Sequence, residues 1–484
     1  AMLFTSLSFF LFLAATLIVF AWLPRRARWF WLLLASLAFY ASFGLSNIVF
    51  LFAVTFVAWA AGRLVACERP AIRKPALIAG LVLILGTLFV LKFYDFVAAE
   101  IEPLLGSVNA LPRLGITAPV GFSFYAFMAG AYLIDVYRGT CAAEHDAGVL
   151  ALYVSWFPKI LAGPIERAGP FLQQVPTRLR LDPVLAAAGL QLVLWGLFKK
   201  VVIADNLAPV VDGAFRIAAY ASPMELLIAV YFFAFQIYCD FSGYSDIAVG
   251  LSLLFGIRLM ENFRRPYLAL TTAEFWSSRW HISLGHWFRD YLYVPLGGSR
   301  TGTLRRYANV MAVFIVSGLW HAGLGYGVGW TFLIWGALNG FYQWTGLATR
   351  GAWRWLGERL PRLAASAWLR VLRILVTFHL ILVSWVFFRA DTVTQASTVI
   401  RRIGSALPGL PALAPRYPFT VDHAAGAALI ALLLTVEILD ERRPMRERLA
   451  AAPVALRWSA WYAAIFGLLL FGRWRSDAFI YMQF

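Results

Sequence analysis

Apolar runs of roughly membrane-span length recur along the whole chain, separated by short polar loops. Runs at 7–23, 29–43, 47–62, 76–94 and 119–137 alternate cleanly with their loops, as expected of helices that cross a hydrocarbon core about 30 Å thick. The loops at 24–28 and 63–75 hold Arg25, Arg26, Arg28, Arg69, Arg73 and Lys74. Lys and Arg gather on the cytoplasmic side, so these loops belong inside. The loop at 95–118 sets Asp95, Glu100 and Glu102 against Arg113 and belongs outside, which puts the N-terminus outside too. The first run lacks a basic leader and is followed by Arg25 and Arg26, the order of an uncleaved span and not of a secretory signal.

The middle of the chain is less regular. The run at 149–162 is short and broken by Pro158 and Pro164, which predicts a re-entrant segment. A span follows near 184–203. The run at 224–257 is too long for one crossing, and Cys239-Asp-Phe-Ser-Gly243 is expected to interrupt it. Further spans are predicted near 306–321, 325–345, 370–389, 422–438 and 459–472. The basic, aromatic stretch 346–369 suits an interfacial helix on the inner face, and the Pro-rich stretch 407–418 an outer loop. The expected fold is an all-α polytopic membrane protein of 10–12 crossings. It forms one domain over 1–484, with N-terminal spans to 137, a catalytic core over about 149–345 and C-terminal spans from 370.

Composition agrees. Of 484 residues, 61% are apolar and 14% charged, against about 45–50% and 25% in soluble domains, which excludes a soluble enzyme and a disordered chain. The net charge of +17 is accounted for by the basic inner loops, so no nucleic-acid partner is implied. Cys67, Cys141 and Cys239 form neither a CxxC pair nor an even framework, and no metal site is signalled.

Phosphate-binding loops, the GxSxG elbow and zinc-protease motifs are all missing. Among six histidines, His321 stands out. It follows an almost uncharged helical stretch, about 22 Å along the helix from Arg306. An ionisable group at that depth is costly and marks a functional candidate; the alternative is a neutral histidine bonded across helices. The segment 274–298 contains Arg279, Trp280, His281, His286, Arg289 and Asp290 among aromatic residues. It is too polar for lipid and too apolar for a free loop, so it either anchors at the interface or lines a buried cavity. His281 and His286 point about 140° apart on a helix and make no metal pair. Asp240 and Asp246 flank a glycine. They suit acid–base or cation chemistry, or pairing with Arg258, Arg264 or Arg265.

Taken in order, Asp240-Phe-Ser-Gly-Tyr-Ser-Asp246, Glu261-Asn-Phe-Arg-Arg-Pro-Tyr267, Arg279-Trp-His-Ile-Ser283, Trp287-Phe-Arg-Asp-Tyr-Leu-Tyr293, Pro295-Leu-Gly-Gly298 and Ser317-Gly-Leu-Trp-His321 resemble the membrane-bound O-acyltransferases. The similarity is to their bacterial polysaccharide-acetylation branch, and it spans nearly the whole chain. The resemblance implies helices around a transmembrane tunnel, His321 as the essential residue and His281 as its companion. Asp240, Asp246, Trp280, Trp320, Arg289 and Asp290 then support the site, and Arg264, Arg265 and Arg300 contact the donor. It further implies acyl transfer from a cytoplasmic thioester, acetyl-CoA or another, with no bound cofactor. The acyl group goes toward an exported polysaccharide such as alginate through a periplasmic SGNH-type, esterase-like partner, at the bacterial inner membrane. Alternatives are a D-alanyl transferase for teichoic acid and a non-enzymatic acyl or glycan channel. Two departures stand against the family pattern: Ser278 and Gly285 replace the expected neighbours of the His281 motif, and Gly323–Gly329 lengthens the gap to Trp330.

Overall fold

The computed structural model describes residues 1–484 except 106–110, 117, 301, 323–328, 475–478 and 481–484. The glycine-rich stretch after His321 therefore lies largely outside the described residues. Among the described residues every regular element is helical, and the protein is an all-α, multi-pass membrane protein. Among the described residues seven helices are long and apolar enough to cross a membrane, and Leu7–Trp22 is a shorter apolar one. Their outward faces carry residues such as Leu11, Phe56, Val82 and Leu469 in the open, as a lipid-facing surface requires. Several helices start where the chain offers a side-chain acceptor to the first free N–H groups: Ser6, Asp146, Thr392 and Thr420 all cap in this way.

The chain forms two compact units: 1–197 with 243–261 and 474–484, and 198–242 with 262–473. In the first, helices Leu45–Val65, Pro70–Leu105 and Phe122–Arg138 pack together. Gly62 is tight against Tyr132, where an added Cβ would come within 2.9 Å of the ring. Helix Ala147–Ser155 stops ahead of Pro158, and the chain then turns through residues 156–163, all buried. Polar groups of this turn find partners inside the protein, as groups away from water require. Trp156 donates to Ser252 Oγ at 2.9 Å, and Lys159 Nζ donates to the Tyr153 carbonyl at 2.5 Å.

The expected interruption at 239–243 is absent: Pro223–Leu254 is one continuous helix of 32 residues. At about 1.5 Å per residue it exceeds the membrane core, but most of its apolar window is buried inside the protein, so lipid thickness does not limit it. The glycine that suggested a break, Gly243, sits at a helix contact: a Cβ on Gly196 would lie 2.6 Å from the Gly243 carbonyl. Asp240 is held within the helix by an ion pair with Lys200 at 2.6 Å, a partner the sequence reading does not name. Lys200 sits in the π-helical turn Phe198–Ala204 and also meets Asp205 at 3.0 Å. The stretch 346–369 forms helices Arg350–Arg359 and Pro361–Ala364, neither with a buried residue.

Candidate active site

The site lies within the second unit and begins with a helical hairpin, Thr303–His321 followed by Trp330–Ala348. Small residues let the two backbones touch. A Cβ at Gly318 would meet the Phe332 carbonyl at 2.4 Å, and one at Gly336 would meet the Phe314 carbonyl at 2.4 Å. Gly318→Ala is therefore expected to destabilise the hairpin by about 1–3 kcal/mol and to displace His321 one turn away. Thermal unfolding in detergent, beside Gly86→Ala, whose Cβ would have open space, checks this.

His321 ends its helix buried, 4% exposed. Its Nδ1 lies 2.7 Å from the Ser317 carbonyl oxygen. A carbonyl only accepts, so in the neutral ring Nδ1 carries the proton and Nε2 keeps the lone pair. Trp320, Trp335 and Phe388 enclose the imidazole with ring centroids at 4.7, 5.1 and 5.5 Å.

His281 comes from the aromatic segment. Thr271 caps the short helix Thr272–Glu274, the chain continues as the π-helical turn Phe275–Arg279, and Trp280 is extended. Arg279 anchors this turn by ion pairs to Glu274 and Glu441 at 2.7 and 2.9 Å. His281 then adopts φ 44°, ψ 54° and starts helix Ile282–Phe288. It is buried against Phe241 at 4.7 Å. Burial, reinforced by nearby His321, pushes its pKa well below the ordinary histidine value, so the ring is neutral at neutral pH. The stretch 280–288 is thus largely buried, whereas no residue of Arg289–Tyr293 is.

Both histidines line one cavity of about 640 Å³. Along helix Thr303–His321 the lining residues Arg306, Val310, Val313, Ser317 and His321 fall on one face at helical spacing. Trp280 and Arg289 also line it, whereas Trp320 touches both histidines, 6.4 Å from His281, without lining it. Arg289 pairs with its neighbour Asp290 at 2.8 Å. The structure does not bring the other expected residues into the cavity. Asp240 is engaged by Lys200, and Asp246 belongs to the first unit. Arg265 is engaged by Asp440 and Glu441, and Arg264 and Arg300 are exposed away from the lining. Instead Arg306, Arg350 and Arg373 line it, with the Arg373 guanidinium over the Trp353 ring at 4.8 Å. Sequence reasoning missed these three. The 306–310–313–317–321 spacing would have found the first. Arg350 and Arg373 follow only from the fold. Four arginines and no carboxylate stand among the described lining residues.

Comparison with known proteins agrees with this geometry. The profile of the membrane-bound O-acyltransferase family matches residues 143–386, which include both histidines and every cavity residue named above. The chain is 38% identical to the protein called "Probable alginate O-acetylase AlgI" from Azotobacter vinelandii, over 80% of this chain and 74% of that one. It is 34% identical to the peptidoglycan O-acetyltransferase of Helicobacter pylori, over 77% and 72%. The teichoic acid D-alanyltransferase of Streptococcus thermophilus is more distant, at 25% over 60% and 72%. The chain belongs to the membrane-bound O-acyltransferase family. It is an O-acyltransferase, which sets the non-enzymatic channel aside.

Proposed function

We propose that this enzyme moves an acetyl group from a cytoplasmic thioester, acetyl-CoA or a related donor, into the O-acetylation of an exported bacterial polysaccharide such as alginate. The observation that carries the proposal is the pair of buried histidines in one cavity, one of them with its proton fixed on Nδ1 by a backbone carbonyl. The relatives named for O-acetylation of alginate and peptidoglycan supply the substrate class.

His321 Nε2 takes the proton of the incoming hydroxyl as its oxygen attacks the thioester carbonyl. The tetrahedral intermediate then collapses, the C–S bond breaks, and the thiolate leaves with that proton. A neutral His281 donates a hydrogen bond to the oxyanion or holds the acceptor. Arg306, Arg350 and Arg373 receive the phosphates of the donor. Arg306 lies about 22 Å along the helix from His321, a reach that suits an extended pantetheine arm. Arg350→Glu is expected to raise the donor KM about tenfold with kcat nearly unchanged, the pattern of lost ground-state binding, and added salt should narrow the difference.

The enzyme resides in the inner membrane with its N-terminus outside. It hands the acyl group to a periplasmic SGNH-type partner, because the donor and the polysaccharide lie on opposite sides. The test is acetyl-CoA consumption by the purified chain, with and without that partner, for wild type and His321→Ala. Turnover lost in the variant alone supports the assignment. Equal rates at equal folding overturn it.

A further inference from the structure

The motif Glu261-Asn-Phe-Arg-Arg-Pro-Tyr267 has no part in the chemistry above, yet it meets the backbone on either side of His281. Among the described residues only Arg265 and His281 are non-glycine residues with positive φ, a conformation that L-residues hold only when their surroundings enforce it. The enforcement is visible. Arg264 N donates to the Arg279 carbonyl at 2.8 Å, and Ile282 N to the Asn262 carbonyl at 2.9 Å. Asn262 Oδ1 accepts from Ser283 N at 3.2 Å and from Ser283 Oγ at 2.8 Å. Asn262 itself is 2% exposed, and the ring of the next residue, Phe263, lies parallel to that of His281 at 6.3 Å.

The helix starting at Ile282 has His281 in its N-cap position, and His281 makes no side-chain cap bond. An N-cap side chain ordinarily accepts from the second or third N–H of the helix. Here that N–H, Ser283 N, is satisfied by Asn262, 21 residues earlier in the chain. The imidazole is thereby released from capping and faces the cavity. Asparagine suits the task because it places a neutral acceptor at the end of a short side chain.

We propose that Asn262 is a positioning residue for His281, capping its helix from a distance so that the histidine keeps its left-handed backbone and presents its ring to the reacting groups. This rests on the proposal that His281 takes part in the reaction. A misplacement of about 1 Å in such a group costs on the order of 10²-fold in rate.

The test is thioester turnover by the full chain in detergent for Asn262→Ala, Asn262→Asp, Ser283→Ala and His281→Ala, with thermal unfolding of each. Asn262→Ala is expected to lower kcat by about 10²-fold while the donor KM stays within about twofold. Asn262→Asp retains the acceptor oxygen and is expected to restore most of kcat, and Ser283→Ala, which leaves the backbone bond, to lose little. Wild-type kcat in Asn262→Ala, or Asp performing no better than Ala, would overturn the inference. If Asn262→Ala does not fold, Asn262→Ser against Asn262→Asp makes the same comparison. A fully active His281→Ala would sink the reading of the site itself, whereas an inactive one beside an active Asn262→Ala would sink only the role of Asn262.

Discussion

Turnover by His321→Ala is expected to fall by roughly 10²–10⁴-fold, the contribution of a positioned general base. The loss should appear in kcat and kcat/KM together, since proton removal from the acceptor is an interaction of the transition state. His321→Asn separates packing from proton transfer. Its amide nitrogen can reach the Ser317 carbonyl that Nδ1 meets at 2.7 Å, but it offers no basic nitrogen in place of Nε2. It should therefore fold as well as wild type and remain as inactive as the alanine variant. An Asn variant that recovered the rate would show that His321 acts by shape, and the general-base mechanism would have to be abandoned.

Lys200→Met is expected to destabilise the protein by about 3–5 kcal/mol. Lys200 and Asp240 each have side chains only 3% exposed and lie 2.6 Å apart, and Asp205 completes the cluster at 3.0 Å. Removing the cation takes away the positive charge that both carboxylates share inside the protein, which costs more than the pair contributes when intact. The paired replacement Lys200→Met with Asp240→Leu should recover a large part of the loss, because apolar substitutes for a buried ion pair are often nearly neutral. Unfolding of the single and double variants in detergent measures this. A double variant no more stable than Lys200→Met would mean that the cluster holds the π-helical turn by more than charge.

Span-length apolar runs determined the membrane class and the helical fold, and the ordered motifs determined the family and pointed to the two histidines that the structure places in one cavity. Each of these is written in local pattern: hydrophobicity counted over about twenty residues, or short motifs whose residues are neighbours in the chain. Long-range pairings left no such mark. Nothing near Asp240 in sequence announces Lys200, forty residues earlier, and local pattern offers only the nearby arginines as partners. The uninterrupted helix Pro223–Leu254 was likewise hidden, because a glycine needed for close helix contact looks the same in sequence as one that ends a helix. The same holds for the cavity. Arg306 shares a helix face with His321 and was legible in principle, but Arg350 and Arg373 arrive from other helices, while Arg265, plausible by charge alone, is taken up by Asp440 and Glu441. Which charges face a ligand and which neutralise one another depends on distances of a few ångströms between remote segments, and only the tertiary structure decides those.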